Sequence, residues 1–230
     1  MYNCCIGPVS PMQGDRACVF GQKGWYIMKL TWHGHSCFTL DTAAGVVALD
    51  PYAPQSVPGY PPLHLTADRV YSSHGHSDHY GTGQVSLTGE PCTVEVEEIH
   101  TFHDPEGGAL RGENTIRIFS AEGLRVAHLG DLGCDLTPEQ EAALTGLDAL
   151  MIPVGGYYTI DAAQAWALAR RLNPRVVIPM HYRFGEQGYQ VLAPLDDFLA
   201  LVDRPVEWVG PTLTLTKDTP CQVAVLRDKT

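Results

Sequence analysis

The sequence has no uninterrupted run of about 18 apolar residues, the length that a membrane-spanning helix requires. Basic residues are also scarce: 15 Lys and Arg stand against 26 Asp and Glu, and they form no compact run. The net charge of −11 argues against binding to a nucleic-acid backbone. We therefore expect neither a membrane span nor a nucleic-acid partner.

Cysteine spacing excludes two further classes of protein. The seven cysteines are an odd number and include no Cys-x-x-Cys pair. Neither a disulfide framework nor a thiolate zinc site is therefore expected. The N-terminus lacks a charged segment followed by an apolar one, so we expect no secretory signal. Together these features predict a protein of the reducing cytoplasm.

The chain has 230 residues, of which 44% are hydrophobic and 18% charged, as expected for a globular protein with one core. Residues 1–27 differ from the rest, because they contain three of the seven cysteines and no periodic pattern. We interpret residues 28–230 as one domain and residues 1–27 as an N-terminal extension or, the interpretation that we favour, as the result of a misassigned start, with Met28 as the true first residue.

The rest of the sequence predicts strands first and helices later. Thr137, Pro138 and Gln140 have the spacing of an N-cap, a first-turn proline and a capping box. Asp161 is the N-cap of a second predicted helix, and Val176–Ile178 is a predicted buried strand. This layout predicts an α/β (α+β) layered fold, with helices outside the sheets.

The most unusual segment is His74-Gly75-His76-Ser77-Asp78-His79, which contains four potential metal ligands in six residues. Imidazole and carboxylate groups suit Zn²⁺ and related divalent metals. His74 and His76 point the same way in an extended chain, because side chains alternate. Asp78 and His79 then reach a second metal position only if the chain bends after His76. Two pairs of ligands on one turn indicate a two-metal site.

Three more candidate ligands each follow a predicted strand. They are His103, Asp131 and His181, which follow the strands at 93–102, 124–129 and 176–178. Layered α/β folds build their sites at strand ends. We therefore expect these side chains to lie near the histidine-rich segment.

The order His-x-His-x-Asp-His, a single His, a Gly-Asp pair and a late His resembles the ligand series of the metallo-β-lactamase superfamily. The surrounding residues resemble its branch of Zn-dependent hydrolases related to L-ascorbate-6-phosphate lactonase and N-acyl-phosphatidylethanolamine phospholipase D. The segments that carry this likeness are 31–38 (TWHGHSCF), 49–51 (LDP), 128–133 (HLGDLG) and 179–182 (PMHY). The resemblance covers about residues 28–215. It implies a four-layer αββα sandwich with the metal site at the strand ends.

The resemblance also implies two divalent metals, with Zn²⁺ as the first choice and Mn²⁺, Ni²⁺ or Fe²⁺ as alternatives. The implied ligands are His74, His76 and His103 for one metal, Asp78, His79 and His181 for the other, and Asp131 as the bridge. A hydroxide that bridges the metals would attack a small lactone or phosphodiester. Asp78 would be catalytic, because it can orient this nucleophile or move its proton. The metals make an anionic substrate compatible with an acidic protein.

Four further residues are candidates around the metals. The resemblance implies that His35 and Asp50 lie beside the ligands. Tyr157 and Arg183 follow predicted strands, so they are candidates for binding a carboxylate or phosphate of the substrate. The alternative interpretation is that Gly155-Gly156 is only a turn and Arg183 only a surface charge.

Two other functions are alternatives to a hydrolase. A diiron redox protein on the same fold would carry Glu at the position of His76 and an appended flavodoxin domain, which this sequence lacks. A non-catalytic metal-binding protein would usually have lost a ligand, and here every ligand position is filled. We therefore expect a hydrolase with a small-molecule substrate. A homo-oligomer is neither predicted nor excluded.

Overall fold

The computed structural model describes residues 27–227, which form two large β-sheets, a two-stranded sheet and three short helices. The strands are β1 (Met28–Gly34), β2 (Cys37–Thr42), β3 (Gly45–Leu49), β4 (Leu65–Ala67), β5 (Arg69–Tyr71), β6 (Val85–Leu87), β7 (Glu95–Phe102), β8 (Glu113–Ala121), β9 (Leu124–His128), β10 (Ala149–Pro153), β11 (Val176–Met180), β12 (Val206–Trp208), β13 (Thr212–Leu215) and β14 (Gln222–Val225). The helices are α1 (Pro138–Ala143), α2 (Ala162–Leu172) and α3 (Leu195–Leu199), and a 3₁₀ turn spans Thr82–Gln84.

The two large sheets pack face to face. One has the strand order β13-β1-β2-β3-β5, and the other β12-β14-β11-β10-β9-β8-β7. Side chains alternate along each strand, so each sheet directs one face towards the other. These facing side chains form one buried apolar cluster, which includes Leu30, Phe38, Met151 and Ile178. The cluster fixes the two sheets relative to each other.

Helices cover the outer face of the larger sheet. In α2 the buried side chains include Trp166, Leu168 and Leu172, which join Leu150 and Val177 of the sheet in a second apolar cluster. On the outer face of the smaller sheet, the β4–β6 pair packs over the sheet. The predicted layered α/β fold is confirmed and is consistent with the αββα sandwich. No helix among residues 27–227 has the length and apolarity of a membrane span.

Both predicted helix starts are confirmed. Thr137 with Gln140 and Asp161 with Gln164 form capping boxes. In each box the N-cap side chain accepts the backbone N–H of the glutamine, and the glutamine side chain accepts the backbone N–H of the N-cap residue. The five prolines of segment 51–67 predict an irregular loop there, and this prediction is wrong at the end of the segment, where β4 lies. Because β4 has three residues and, among residues 27–227, pairs only with β6, the sequence gives no signal for it.

Strand direction brings the candidate ligands to one edge of the larger sheet. β9, β10 and β11 are parallel, so their C-terminal ends lie at the same edge. β7 pairs antiparallel with β8, which pairs antiparallel with β9, so β7 ends there too. His103, Asp131 and His181 follow β7, β9 and β11. In the other sheet β5 runs parallel to β3 and leads into His74.

Residues 1–26 lie outside the described residues, so the interpretation of 1–27 as an extension stays a prediction. Met28 is fully buried and pairs with Leu215 of β13. Because β1 is complete from this residue, we expect a chain that begins at Met28 to fold and to retain its metals. Thermal unfolding and metal content of the two chains would test this. An insoluble or metal-free short chain would contradict it.

Candidate metal centre

Asp131 lies at the centre of the candidate ligands and is 1% exposed. Its carboxylate oxygens lie 3.1 Å from Nε2 of His79, 3.2 Å from Nε2 of His181 and 3.3 Å from Nε2 of His103. Nε2 of His74 lies 4.0 Å from the same carboxylate. Four imidazoles therefore surround one buried carboxylate.

The potential ligand atoms form three overlapping groups, within each of which all atoms lie less than 4.8 Å apart. The groups are His74, His76 and His103; His74, His79 and Asp131; and His35, Asp78, His79 and His181. The first group is the set that the resemblance implies for one metal. The third contains the set implied for the other metal, together with His35. The geometry thus brings His35 closer to the ligands than the sequence suggests.

Several buried polar atoms of this cluster have no hydrogen-bond partner among residues 27–227. They include Nε2 of His74, His79 and His181, and Oδ1 of Asp131. Each such atom costs about 1–3 kcal/mol when it is left without a partner. Imidazole nitrogens and carboxylate oxygens are the donors that Zn²⁺ and similar metals bind. The donor set therefore fits a divalent metal.

Burial keeps three of the imidazoles neutral. It lowers the pKa of His35 to about 4 and that of His74 to about 3. The pKa of His103 is lowered for the same reason. A metal binds neutral imidazole, so protons do not compete for these nitrogens at neutral pH.

His79 and Asp131 behave as a charged pair. Burial would lower the pKa of His79, but the carboxylates of Asp131 and Asp50 raise it well above its ordinary value. Burial would raise the pKa of Asp131, but His181 and His79 hold it well below its usual range. Without a metal, a proton on His79 offsets part of the buried negative charge. A bound cation can take over this role.

Asp50 orients two of the imidazoles. Its Oδ2 lies 2.7 Å from Nδ1 of His79, so Nε2 of that ring faces Asp131. The Ser73 hydroxyl donates to the same oxygen at 2.6 Å, and it lies 3.0 Å from Nδ1 of His74. Burial would raise the pKa of Asp50, but His128 and His79 hold it at about 2. Asp50 lies beside the candidate ligands, where the resemblance places it.

Asp78 lies on the more open side of the cluster, with a side chain that is 14% exposed. Its Oδ2 is 3.3 Å from Nε2 of His35 and 3.7 Å from Nε2 of His79. Burial would raise the pKa of Asp78, but the hydrogen bond from His35 and the charge of His79 lower it. The carboxylate is therefore ionised and accepts the Nε2–H of His35.

The position of Asp131 depends on a residue that the sequence analysis did not find. Asn114 accepts the backbone N–H of Asp131 at 2.9 Å and donates to the carbonyl of Leu129 at 3.0 Å. Gly130 has a φ of +55°, and a Cβ there would lie 2.3 Å from Oδ1 of Asn114. The backbone therefore requires glycine immediately before Asp131. No local sequence pattern around Asn114 predicts that its side chain positions Asp131.

The two predicted substrate contacts lie apart from the polar atoms of the cluster. Nε of Arg183 donates to the carbonyl of Leu192 at 3.3 Å. Tyr157 is 66% exposed, and its ring contacts that of Tyr158. Within residues 27–227, neither makes a hydrogen bond or ion pair with a candidate ligand. Their role in substrate binding stays a prediction.

Tyr189 is an aromatic residue beside the cluster that the sequence did not reveal. Its ring lies 5.7 Å from that of His35, and its hydroxyl donates to the carbonyl of Ser56 at 2.7 Å. Burial and the nearby charge of Asp78 raise its pKa. It lies in the segment 183–192, whose sequence carries no recognisable motif. Only the folded loop brings it to the site.

Comparison with known proteins identifies the fold family. Residues 29–181 match the family described as the beta-lactamase superfamily domain. The chain belongs to the metallo-β-lactamase superfamily. The superfamily predicted from the ligand series is thereby confirmed, and the narrower branch stays a prediction.

Similar proteins of this superfamily are named as metal-dependent hydrolases. A Thermotoga maritima protein assigned as a Zn-dependent hydrolase is 37% identical, with a TM-score of 0.69 over 88% of this chain and 100% of that one. UPF0173 metal-dependent hydrolases of Methanoregula boonei and Thermoplasma acidophilum are 28% and 27% identical. The alignment with the Methanoregula protein covers 78% of this chain and 92% of that protein. The alignment with the Thermoplasma protein covers 67% of this chain and 83% of that protein. The chain is a metallo-β-lactamase-fold member of the metal-dependent hydrolases.

Asp50→Asn should lower the affinity for Zn²⁺ by about 10- to 100-fold, because the carboxylate orients His79 from behind. Competition with a chromogenic chelator would measure this. Asp148→Asn is the matched control: Asp148 is a buried carboxylate that binds Arg175 and Lys217, at the other end of β10. It should lower stability and leave the metal affinity unchanged. Equal metal affinity in Asp50→Asn and wild type would contradict the role of Asp50.

Proposed function

We propose that this protein is a binuclear, cytoplasmic metal-dependent hydrolase that acts on a small lactone or a phosphodiester. The observation that carries the proposal is that donors from two of the three groups meet at the buried carboxylate of Asp131: His103 from one, and His79 and His181 from the other. A cluster that held one structural metal would need about four donors. This cluster contains more than four donors, and one of them, Asp78, lies on its more open side.

The proposed ligands are those that the resemblance implies, and the orphaned buried donors support them. His74, His76 and His103 would hold one metal, Asp78, His79 and His181 the other, and Asp131 would be shared by both. Mixed imidazole and carboxylate donors favour Zn²⁺, with Mn²⁺, Ni²⁺ or Fe²⁺ as alternatives. When bound, such metals act as Lewis acids that lower the pKa of water and polarise the bond to be broken.

Asp78 is the proposed catalytic residue. It is ionised and partly exposed, so it can accept a proton from the attacking water and deliver it to the leaving group. His35 holds its Oδ2 at 3.3 Å and stays neutral, with a pKa of about 4. This hydrogen bond fixes the carboxylate in one orientation without protonating it.

The lactone and phosphodiester classes come from the resemblance to the narrower branch, and the open side of the cluster favours a small molecule. The test is hydrolysis of a panel of both classes by purified protein loaded with Zn²⁺ or Mn²⁺. We expect turnover of at least one class by protein that carries two metals per chain. Full loading without turnover would contradict the proposal, and tightly bound iron with redox activity would favour the diiron alternative.

Asp78→Asn should lower turnover by about 100-fold or more, because it removes the base while keeping an oxygen ligand. The assay must be run at saturating metal, since lost occupancy would imitate lost chemistry. Asp203→Asn, a change of an exposed surface carboxylate, is the control and should retain wild-type turnover. If loaded Asp78→Asn turns over at the wild-type rate, Asp78 is only a ligand.

A further inference from the structure

The loop that follows His103 is built around one carboxylate. Asp104 accepts backbone N–H groups at 2.7–3.1 Å from four residues of this loop. They are Glu106, Gly108, Leu110 and Arg111. These bonds give the loop a defined shape although it contains no strand or helix. Arg111 is therefore held at a fixed place, close to a candidate ligand.

The side chain of Arg111 reaches across to a second loop. Its Cζ lies 5.7 Å from the centre of the Tyr158 ring, within the range of a cation–π interaction. This contact orients the guanidinium but uses none of its N–H groups. Within the part of the chain that is described, Arg111 forms no ion pair with a carboxylate.

Tyr158 connects Arg111 with the metal centre. Its ring lies 6.0 Å from that of Tyr189, which lies 5.7 Å from the ring of His35. The three side chains form an arc from the loop after β7 to the loop after β11. At the end of this arc, Tyr189 and the partly exposed Asp78 both lie against His35. A substrate bound at the centre would extend along these rings towards Arg111.

Other arginines have their guanidinium groups engaged within the protein. Arg183 donates to the carbonyl of Leu192, Arg117 to Glu98 and the carbonyl of Ser72, and Arg171 to Glu141. In a chain with a net charge of −11, a guanidinium without an acidic partner is notable. Its planar fork matches two oxygens of a carboxylate or phosphate group.

We propose that Arg111, supported by Tyr158, is a specificity-determining residue that binds an oxyanion of the substrate remote from the reacting bond. The apolar part of the substrate lies against Tyr158 and Tyr189. That the other end of this substrate reacts at the metal centre rests on the proposed hydrolase function, whereas anion binding at Arg111 requires no turnover. The two claims can therefore fail separately.

The test uses N-succinyl- and N-butyryl-homoserine lactone, which share the ring and amide but end in a carboxylate and a methyl group. Binding of their ring-opened acids to the Zn²⁺-loaded protein is measured by calorimetry. Wild type should bind the succinyl acid about 10-fold more tightly, as one charge-assisted hydrogen-bonded contact would give. Arg111→Gln should bind both acids equally, with the affinity for the butyryl acid retained.

Arg170→Gln is the matched control. Arg170 has a side chain that is 64% exposed, and it lies near the C-terminal end of α2. This variant should keep the wild-type preference for the succinyl acid. A preference that survives in Arg111→Gln would overturn the proposal. Wild-type protein that binds both acids equally, or neither, would overturn it too.

Kinetics with the intact lactones separate this proposal from the hydrolase function. An Arg111-dependent preference in binding, without hydrolysis of these lactones or of any other panel member, would support the anion site and refute the reaction. Hydrolysis of both lactones with equal kcat/KM in wild type and Arg111→Gln would support the reaction and refute the anion site.

Discussion

The carboxylate of Asp131 is almost fully buried, and an ionised group there is stable only if positive charge or hydrogen bonds replace the lost water. Its own backbone N–H is held by Asn114, so its position does not depend on the imidazoles around it. The nitrogens of His79, His103 and His181 approach it from segments that follow three different strands. Much of the local structure serves to hold these groups close together around one negative charge.

The sheets supply this arrangement because parallel strands end at a common edge. β9 and β11 deliver Asp131 and His181, and the smaller sheet delivers the segment from His74 to His79 across the interface. Behind this segment, Asp50 and Ser73 fix the rings of His79 and His74. The apolar layer between the sheets therefore determines how far apart the two halves of the centre lie.

The ligand cluster could be predicted from the sequence because metal ligands are chemically distinctive, close in sequence at 74–79 and placed after strands elsewhere. The proposed anion contact at Arg111 could not be predicted in the same way. Tyr157 and Tyr158 are neighbours in the sequence, yet it is the ring of Tyr158 that contacts Tyr189, and Tyr157 has a positive φ of 58°. Arg111 depends on backbone bonds to Asp104, a type of interaction that leaves no pattern in the side chains.

We propose that two metals share the carboxylate of Asp131. Anomalous diffraction at the zinc edge, from crystals of the Zn²⁺-loaded protein, tests it most directly. We expect two peaks, one between Asp131 and His103 and one between Asp131 and His181. A single peak at full loading, or peaks away from Asp131, would contradict it.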